Sequence, residues 1–264
     1  MKIGVLRLTI AVSLAVFSEL KGDDEAGSYF KLGESEQKEL LWMAKAANAA
    51  YIGGKMPIGF RPIFLEEWEK CAVDCGEIVY TTDGYFNVGS GLRGRLMIDM
   101  LNGDRVILAL SGCDLGVSKK EFLKDAGQCV KHYFTCSAKQ YKQALKVMNG
   151  VLELHPRKEL WIVGHSLGGS LTTYLAIHLP QSKTQVKCAT FNGYGVSPLL
   201  SGLFVDTKLA TQRVRNVYCT RDTIFKVPAK HYGPCYSLKT SCGLLEAHEL
   251  DTVIKAMIAN RFGW

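Results

Sequence analysis

The feature that most constrains the fold is the run "DRVILAL" at 104–110, apolar without a break after Arg105 and ending at Ser111-Gly112. A strand with one wet face alternates polar and apolar residues. An unbroken apolar run is the pattern of a strand covered on both faces, as in parallel sheets. Further strands are expected at 78–82, 93–101, Glu159 to Val163, Val186 to Phe191 and Val214 to Cys219. Helical segments stand between and around them. Residues 35–51 are rich in helix formers. Ser137 with Gln140 reads as a capping box that starts a helix carrying Tyr141, Leu145, Met148 and Leu152 on one face, with His155-Pro156 as its end. Leu167 to Leu179 stops at Pro180, and "ELDTVIKAMIANRF" closes the chain as a helix. Strands alternating with helices predict a doubly wound α/β architecture: a mostly parallel central sheet with helices on both faces.

A chain of 264 residues, 47% apolar and 22% charged, suits one large domain, and no repeat or Pro/Ser-rich linker divides it. The one compositional break is near the start. Met1 to Leu20 carries Lys2 and Arg7, then the apolar stretch Leu8 to Phe17, then small and polar residues, with Val16-Phe17-Ser18 as the candidate cleavage site. A ten-residue helix reaches only about 15 Å, half a bilayer's hydrocarbon core, so the segment reads as a secretory signal peptide rather than a span. The expected organisation is residues 1–20 as leader and 21–264 as a single domain in a secreted protein. Nine cysteines fit an oxidising compartment. Cys71 with Cys75 and Cys235 with Cys242 are candidate disulfides. Cys188 and Cys219, inside apolar runs, are expected to be buried thiols. No Cys/His spacing supplies a complete zinc set, so no metal is expected. The formal charge of +7 is mild, and no zinc finger, basic helix or aromatic-basic ribonucleoprotein motif is present; nucleic-acid binding is not expected.

The strand beginning at Glu159 runs into Gly164-His165-Ser166-Leu167-Gly168 and then a helix. A sharp strand-to-helix turn forces its central residue into a strained conformation, and glycines two positions away on each side relieve the crowding. The strain exposes the Ser166 hydroxyl at the sheet's edge. A serine hydroxyl is a weak nucleophile at neutral pH; it needs a histidine to take its proton and an acid to orient that histidine. The helix N-terminus behind it offers the Leu167 N–H to the charge that develops on an attacked carbonyl. His165, inside the turn, is expected to orient backbone rather than transfer protons.

With these residues in place the sequence resembles the lipase class 3 family, the fungal-type triacylglycerol lipases and their relatives with the α/β-hydrolase fold. "GHSLGG" is the form the nucleophile elbow commonly takes there. "AANAAY" at 46–51, "ILALSGCD" at 107–114, "FLKDAG" at 122–127, "KHYF" at 131–134, "ATFNGYG" at 189–195 and "RDTIFKVP" at 221–228 follow in the family's order, so the resemblance covers about residues 40–255.

The resemblance implies a serine hydrolase that cleaves carboxylic esters, with lipid acyl esters as the expected substrate, no cofactor, and transient contact with a lipid surface. Its residues come in the order Ser, Asp, His. Asp222 follows the strand "VRNVYCT" and precedes Val227-Pro228, which matches the family's acid segment; Asp206 is the competitor without those flanks. His248 lies where similar lipases carry their base, while His231 matches a mainly structural histidine. The second oxyanion donor stands at the end of a Phe-Arg-Gly-Ser or Phe-Arg-Gly-Thr segment in the family. Here the matching residues are Leu110-Ser111-Gly112-Cys113. The Cys113 N–H can still serve, but a helpful hydroxyl is gone. Asp114 to Asp125 corresponds to the family's lid, with few apolar residues among Lys119, Lys120, Glu121 and Lys124, and Leu199, Leu200, Leu203 and Phe204 are candidate acyl-chain contacts. Two rivals share these residues: an amidase or peptidase on the same three groups, and a catalytically silent binding protein, motivated by the altered oxyanion segment.

Overall fold

A computed structural model describes residues 32–51, 53–64, 78–80, 83–88, 91–101, 103–112, 126–183, 185–196, 207–222, 225 and 230–261. The leader at 1–20, Cys71 and Cys75, Cys113, the lid segment Asp114 to Asp125, the apolar residues at 197–204 and Asp206 lie outside these described residues.

The described strands are β1 (Phe60–Pro62), β2 (Ile78–Tyr80), β3 (Tyr85–Val88), β4 (Arg93–Asp99), β5 (Arg105–Leu110), β6 (Glu159–His165), β7 (Val186–Phe191), β8 (Val214–Cys219) and β9 (Cys235–Leu238). They form one sheet in the order β2-β3-β4-β5-β6-β7-β8-β9, with β1 on β4. From β5 to β9 every pairing is parallel. The wing of β1 to β4 is antiparallel, and β4 joins β5 antiparallel. Helices α1 (Glu34–Ala49), α2 (Ala126–Leu154), α3 (Leu167–His178), α4 (Lys208–Arg213), α5 (Leu244–His248) and α6 (Leu250–Arg261) complete the described elements.

Successive strand residues point to opposite faces, and here both faces are covered. Val106, Leu108 and Leu110 of β5 join Ile162 of β6 in a core under α2 and α3, with Tyr141, Met148, Leu171 and Leu175. Ile107 and Ala109, with Trp161 and Val163, face a second core under α1 and α6, with Leu40, Met43, Val253 and Met257. This double covering is why "VILAL" contains no polar residue. At the buried foot of the sheet Arg105 lies over the Trp161 ring, its Cζ 3.8 Å from the centroid, and bonds Asp99 and Glu159 at 2.9 Å each. A planar guanidinium can stack and form ion pairs at once.

Two expectations are corrected. Ser137 does not cap a helix: α2 begins at Ala126, and Ser137 lies well inside it. The residues before Ser137 contain no proline to break the helix, so it starts a full three turns earlier. Tyr141 and Met148 nevertheless share the buried face with Leu145 and Leu152 packed beside them. Cys235 and Cys242 form no disulfide. The first begins β9 and the second follows its far end, and a four-residue strand at roughly 3.3 Å per residue already exceeds the roughly 7 Å a disulfide can span. Cys188 and Cys219 are buried thiols, and burial pushes each up to about 12. None of the helices among the described residues is long and apolar enough to cross a membrane.

Candidate active site

The parallel registers place four chain ends side by side. Leu110 lies opposite Gly164, His165 opposite Phe191, and Phe191 opposite Val217. The residues just past these positions therefore gather at the carboxyl edge of the sheet, where open α/β sheets keep their sites. They are Gly112, Ser166, Asn192 and, one short turn beyond β8, Asp222.

Ser166 occupies the turn between β6 and α3 with φ 57° and ψ −124°. Such a conformation costs a non-glycine residue about 1–3 kcal/mol and persists only where its surroundings impose it. The glycines on either side make it possible. A Cβ on Gly164 would lie 2.1 Å from the Gly168 carbonyl oxygen, and one on Gly168 would lie 2.1 Å from that of Leu110. A serine before a helix ordinarily turns its hydroxyl onto the first N–H groups. Ser166 makes no such cap. Its Oγ meets His248 Nε2 at 3.0 Å instead.

His248 is the last residue of α5, and its Nδ1 lies 3.1 Å from both carboxylate oxygens of Asp222. Asp222 is fully buried, in a turn closed by its N–H donating to the Cys219 carbonyl at 2.9 Å. The carboxylate can only accept, which assigns the proton to Nδ1 and leaves the Nε2 lone pair facing the hydroxyl of Ser166. That is the arrangement in which a serine can pass its proton to a histidine as it attacks. Leu167 opens α3, where backbone N–H groups have no acceptor within the helix.

The structure thus brings together Ser166, His248, Asp222 and the Leu167 backbone. It keeps His231 elsewhere: that ring stacks on Phe225 at 4.0 Å between centroids, and burial pulls its pKa below the usual histidine range. His165 faces away from the Ser166 hydroxyl, with Tyr51 Oη 2.6 Å from Nδ1 and the His248 carbonyl oxygen 2.6 Å from Nε2. Among the described residues no group of three His, Cys, Asp or Glu side chains could hold a metal.

Two residues here have no role in the sequence reading. Tyr51 accepts a hydrogen bond from the Gly112 N–H at 2.9 Å. Asn192, fully buried with φ 46°, donates from Nδ2 to the Ala247 carbonyl at 2.7 Å and accepts the Cys219 N–H at 2.9 Å. It ties the strand that leads to Asp222 to the helix that carries His248. The signal was present: an Asn-Gly pair directly after a strand marks a position of positive φ. Tyr51 carries no such local signal, because its partners lie 61 and 114 residues away.

Comparison with known proteins agrees with this geometry. The family model described as Lipase (class 3) matches residues 109–232. The Pichia angusta protein named "Putative lipase ATG15" is 32% identical over 63 residues, 20% of this chain and 12% of that one. Its namesake from Yarrowia lipolytica is 33% identical over 48 residues, 18% of this chain and 9% of that protein. The chain therefore spans only a small part of the length of these curated relatives. Among solved structures, a fungal lipase matches with a TM-score of 0.52 at 17% identity, covering 87% of this chain and 99% of the lipase. The Lip2 lipase of Yarrowia lipolytica matches with a TM-score of 0.48 at 16% identity, over 80% and 81%. The likeness to the first gives the fold as α/β-hydrolase. The serine of that strand-to-helix turn lies inside the residues that the Lipase (class 3) family model matches.

Proposed function

We propose that the protein is a carboxylic ester hydrolase acting on lipid acyl esters through an acyl-enzyme. The observation that carries this reading is the 3.0 Å approach of Ser166 Oγ to His248 Nε2, with the buried Asp222 at 3.1 Å from the other ring nitrogen. Ser166 Oγ attacks the ester carbonyl carbon while Nε2 takes its proton; the C=O electron pair moves onto oxygen, toward the N–H groups of Leu167 and Cys113. The intermediate collapses, the C–O bond to the alcohol breaks, and His248 returns the proton to the leaving oxygen. Water then repeats the sequence against the acyl-serine and frees the acid. Asp222 stays ionised and steadies the imidazolium. The chemistry draws on no cofactor. The leader-like residues 1–20 support export as part of the same proposal, and the class of relative supports a lipid substrate met at a surface.

The test is turnover of p-nitrophenyl esters of increasing chain length, run beside Ser166→Ala and beside amide analogues. Ester hydrolysis that rises with acyl length and disappears in the variant is expected. Equal turnover of amides would favour the amidase rival, and no turnover by the wild type would favour a silent binder. N-terminal sequencing of protein recovered from the medium checks the leader: a start near residue 19 is expected.

A further inference from the structure

The hydrogen bonds around His165 form a continuous, partly buried path between two parts of the site that the chain keeps far apart. At one end is the loop after β5. A Cβ built on Gly112 would lie 2.9 Å from Ser166 Cβ, so Gly112 passes directly beside the nucleophile. The amide nitrogen of Cys113 is bonded to the Gly112 carbonyl carbon, so whatever fixes Gly112 fixes the origin of the proposed oxyanion donor. Gly112 N–H donates to Tyr51 Oη at 2.9 Å. Tyr51 Oη lies 2.6 Å from His165 Nδ1, and His165 Nε2 lies 2.6 Å from the carbonyl oxygen of His248. At the other end, therefore, is the main chain of the residue that supplies the base.

Donor and acceptor chemistry gives the path a direction. The His248 carbonyl can only accept, so His165 carries its proton on Nε2. Nδ1 then presents a lone pair and accepts a hydrogen bond from the Tyr51 hydroxyl. The Tyr51 oxygen in turn accepts from Gly112. Each group is used in the one sense its neighbours allow, and such chains polarise one another in a low-dielectric interior. His165 is also covalently next to Ser166, and its ring packs 4.9 Å from that of His248 between centroids.

We infer that Tyr51 and His165 are positioning residues that couple the placement of the oxyanion loop to that of His248. Neither touches the reacting atoms. The inference rests on the ester-hydrolase reading above. Tyr51 holds the loop from which the oxyanion donor projects, His165 holds the main chain of the base, and the bond between them makes the two placements one. A donor or base displaced by about 1 Å loses much of its transition-state contact while substrate binding is little changed, so the effect falls on kcat.

The experiment compares Tyr51→Phe, His165→Asn and the double variant with the wild type, on whichever p-nitrophenyl ester the wild type turns over fastest. Each single change is expected to lower kcat about ten-fold with KM within two-fold. Because both act on one path, the double variant is expected to lose about twenty-fold or less, against roughly a hundred-fold for independent effects. A kcat for Tyr51→Phe within two-fold of wild type, or a double variant equal to the product of the singles, overturns the inference. A second readout needs no turnover. Nitrogen-15 NMR of the histidine-labelled chain, with His165 assigned by its loss in His165→Asn, is expected to show the proton on Nε2 and an Nδ1 resonance that moves in Tyr51→Phe. A proton on Nδ1 overturns the path. Turnover that is absent in the wild type, with the tautomer as expected, overturns the hydrolase reading and the positioning role with it.

Discussion

Replacing Asn192 by alanine should loosen the acid and the base together. The side chain is fully buried and makes two bonds, Nδ2 to the Ala247 carbonyl at 2.7 Å and Oδ1 from the Cys219 N–H at 2.9 Å. Alanine removes both and leaves a donor and an acceptor without water in place of them. Each group stranded in this way costs about 1–3 kcal/mol. Asn192 also sits at φ 46°, a region that asparagine tolerates and alanine enters at a further cost of about 1 kcal/mol. The sum is about 3–7 kcal/mol. For a domain of this size each kcal/mol moves Tm by roughly 2–4 °C, so Asn192→Ala should melt roughly 6–28 °C below wild type. Asn192→Gly separates the two contributions, since glycine loses the same bonds but accepts the conformation. It should be more stable than the alanine variant by about 0.5–1 kcal/mol, the reverse of the usual order. Urea unfolding with a common slope gives both differences. An alanine variant within 1 kcal/mol of wild type, or one more stable than the glycine variant, would refute the reasoning.

Other expectations follow from the same contacts. Asp222→Asn would turn an N–H toward His248 Nδ1 and force the proton onto Nε2, where it faces the Ser166 hydroxyl. Ester kcat should fall by about 10⁴-fold, with KM little changed, measured in parallel with Ser166→Ala as the background. Gly164→Ala drives a Cβ to 2.1 Å from the Gly168 carbonyl oxygen, between two backbones that cannot yield, and circular dichroism should show Tm lowered by more than about 10 °C or no folded protein. His231 takes a proton less readily when folded because burial disfavours its charge, against a weaker opposing bond to the Phe225 carbonyl, and burial has the same effect on His178. The unfolded chain binds protons near pH 6.5 and the folded chain resists, so stability is intact above that pH and declines as the pH falls below it. His231→Gln should flatten part of the slope of urea midpoint between pH 7 and pH 5.

The central layers of the fold were legible in the sequence because they depend on local pattern. The unbroken "VILAL" of β5 marks a strand with two buried faces, and Pro180 ends α3 just past its last residue. The strand-to-helix turn at Ser166 was legible for the same reason, since its two glycines answer a crowding that arises within five residues. The antiparallel wing was only half visible. Its strands β1 and β3 are three and four residues long and depend on pairing with β4 more than on their own composition. The start of α2 was misplaced because Ser137 imitates a cap, and a serine inside a helix leaves the same letters as one at its end. Cys235 and Cys242 show the limit in distance: seven positions apart in sequence says nothing of the strand that holds them apart in space. Asp222 and His248 came from a resemblance rather than from their neighbours. Tyr51 and Asn192 lie in stretches of that resemblance, "AANAAY" and "ATFNGYG", but neither source gives them a role, because what makes them matter is the sheet register that brings Gly112, Ser166 and Val217 to one edge.

The central claim is that Ser166 is a nucleophile made reactive by His248. It is tested most directly by treating the full chain with a fluorophosphonate, digesting it, and mapping the adduct by mass spectrometry. The account predicts one adduct, on the peptide containing Ser166, absent in Ser166→Ala and formed at least about a hundred-fold more slowly in His248→Ala. An unlabelled wild type, or equal labelling of wild type and Ser166→Ala, would contradict it.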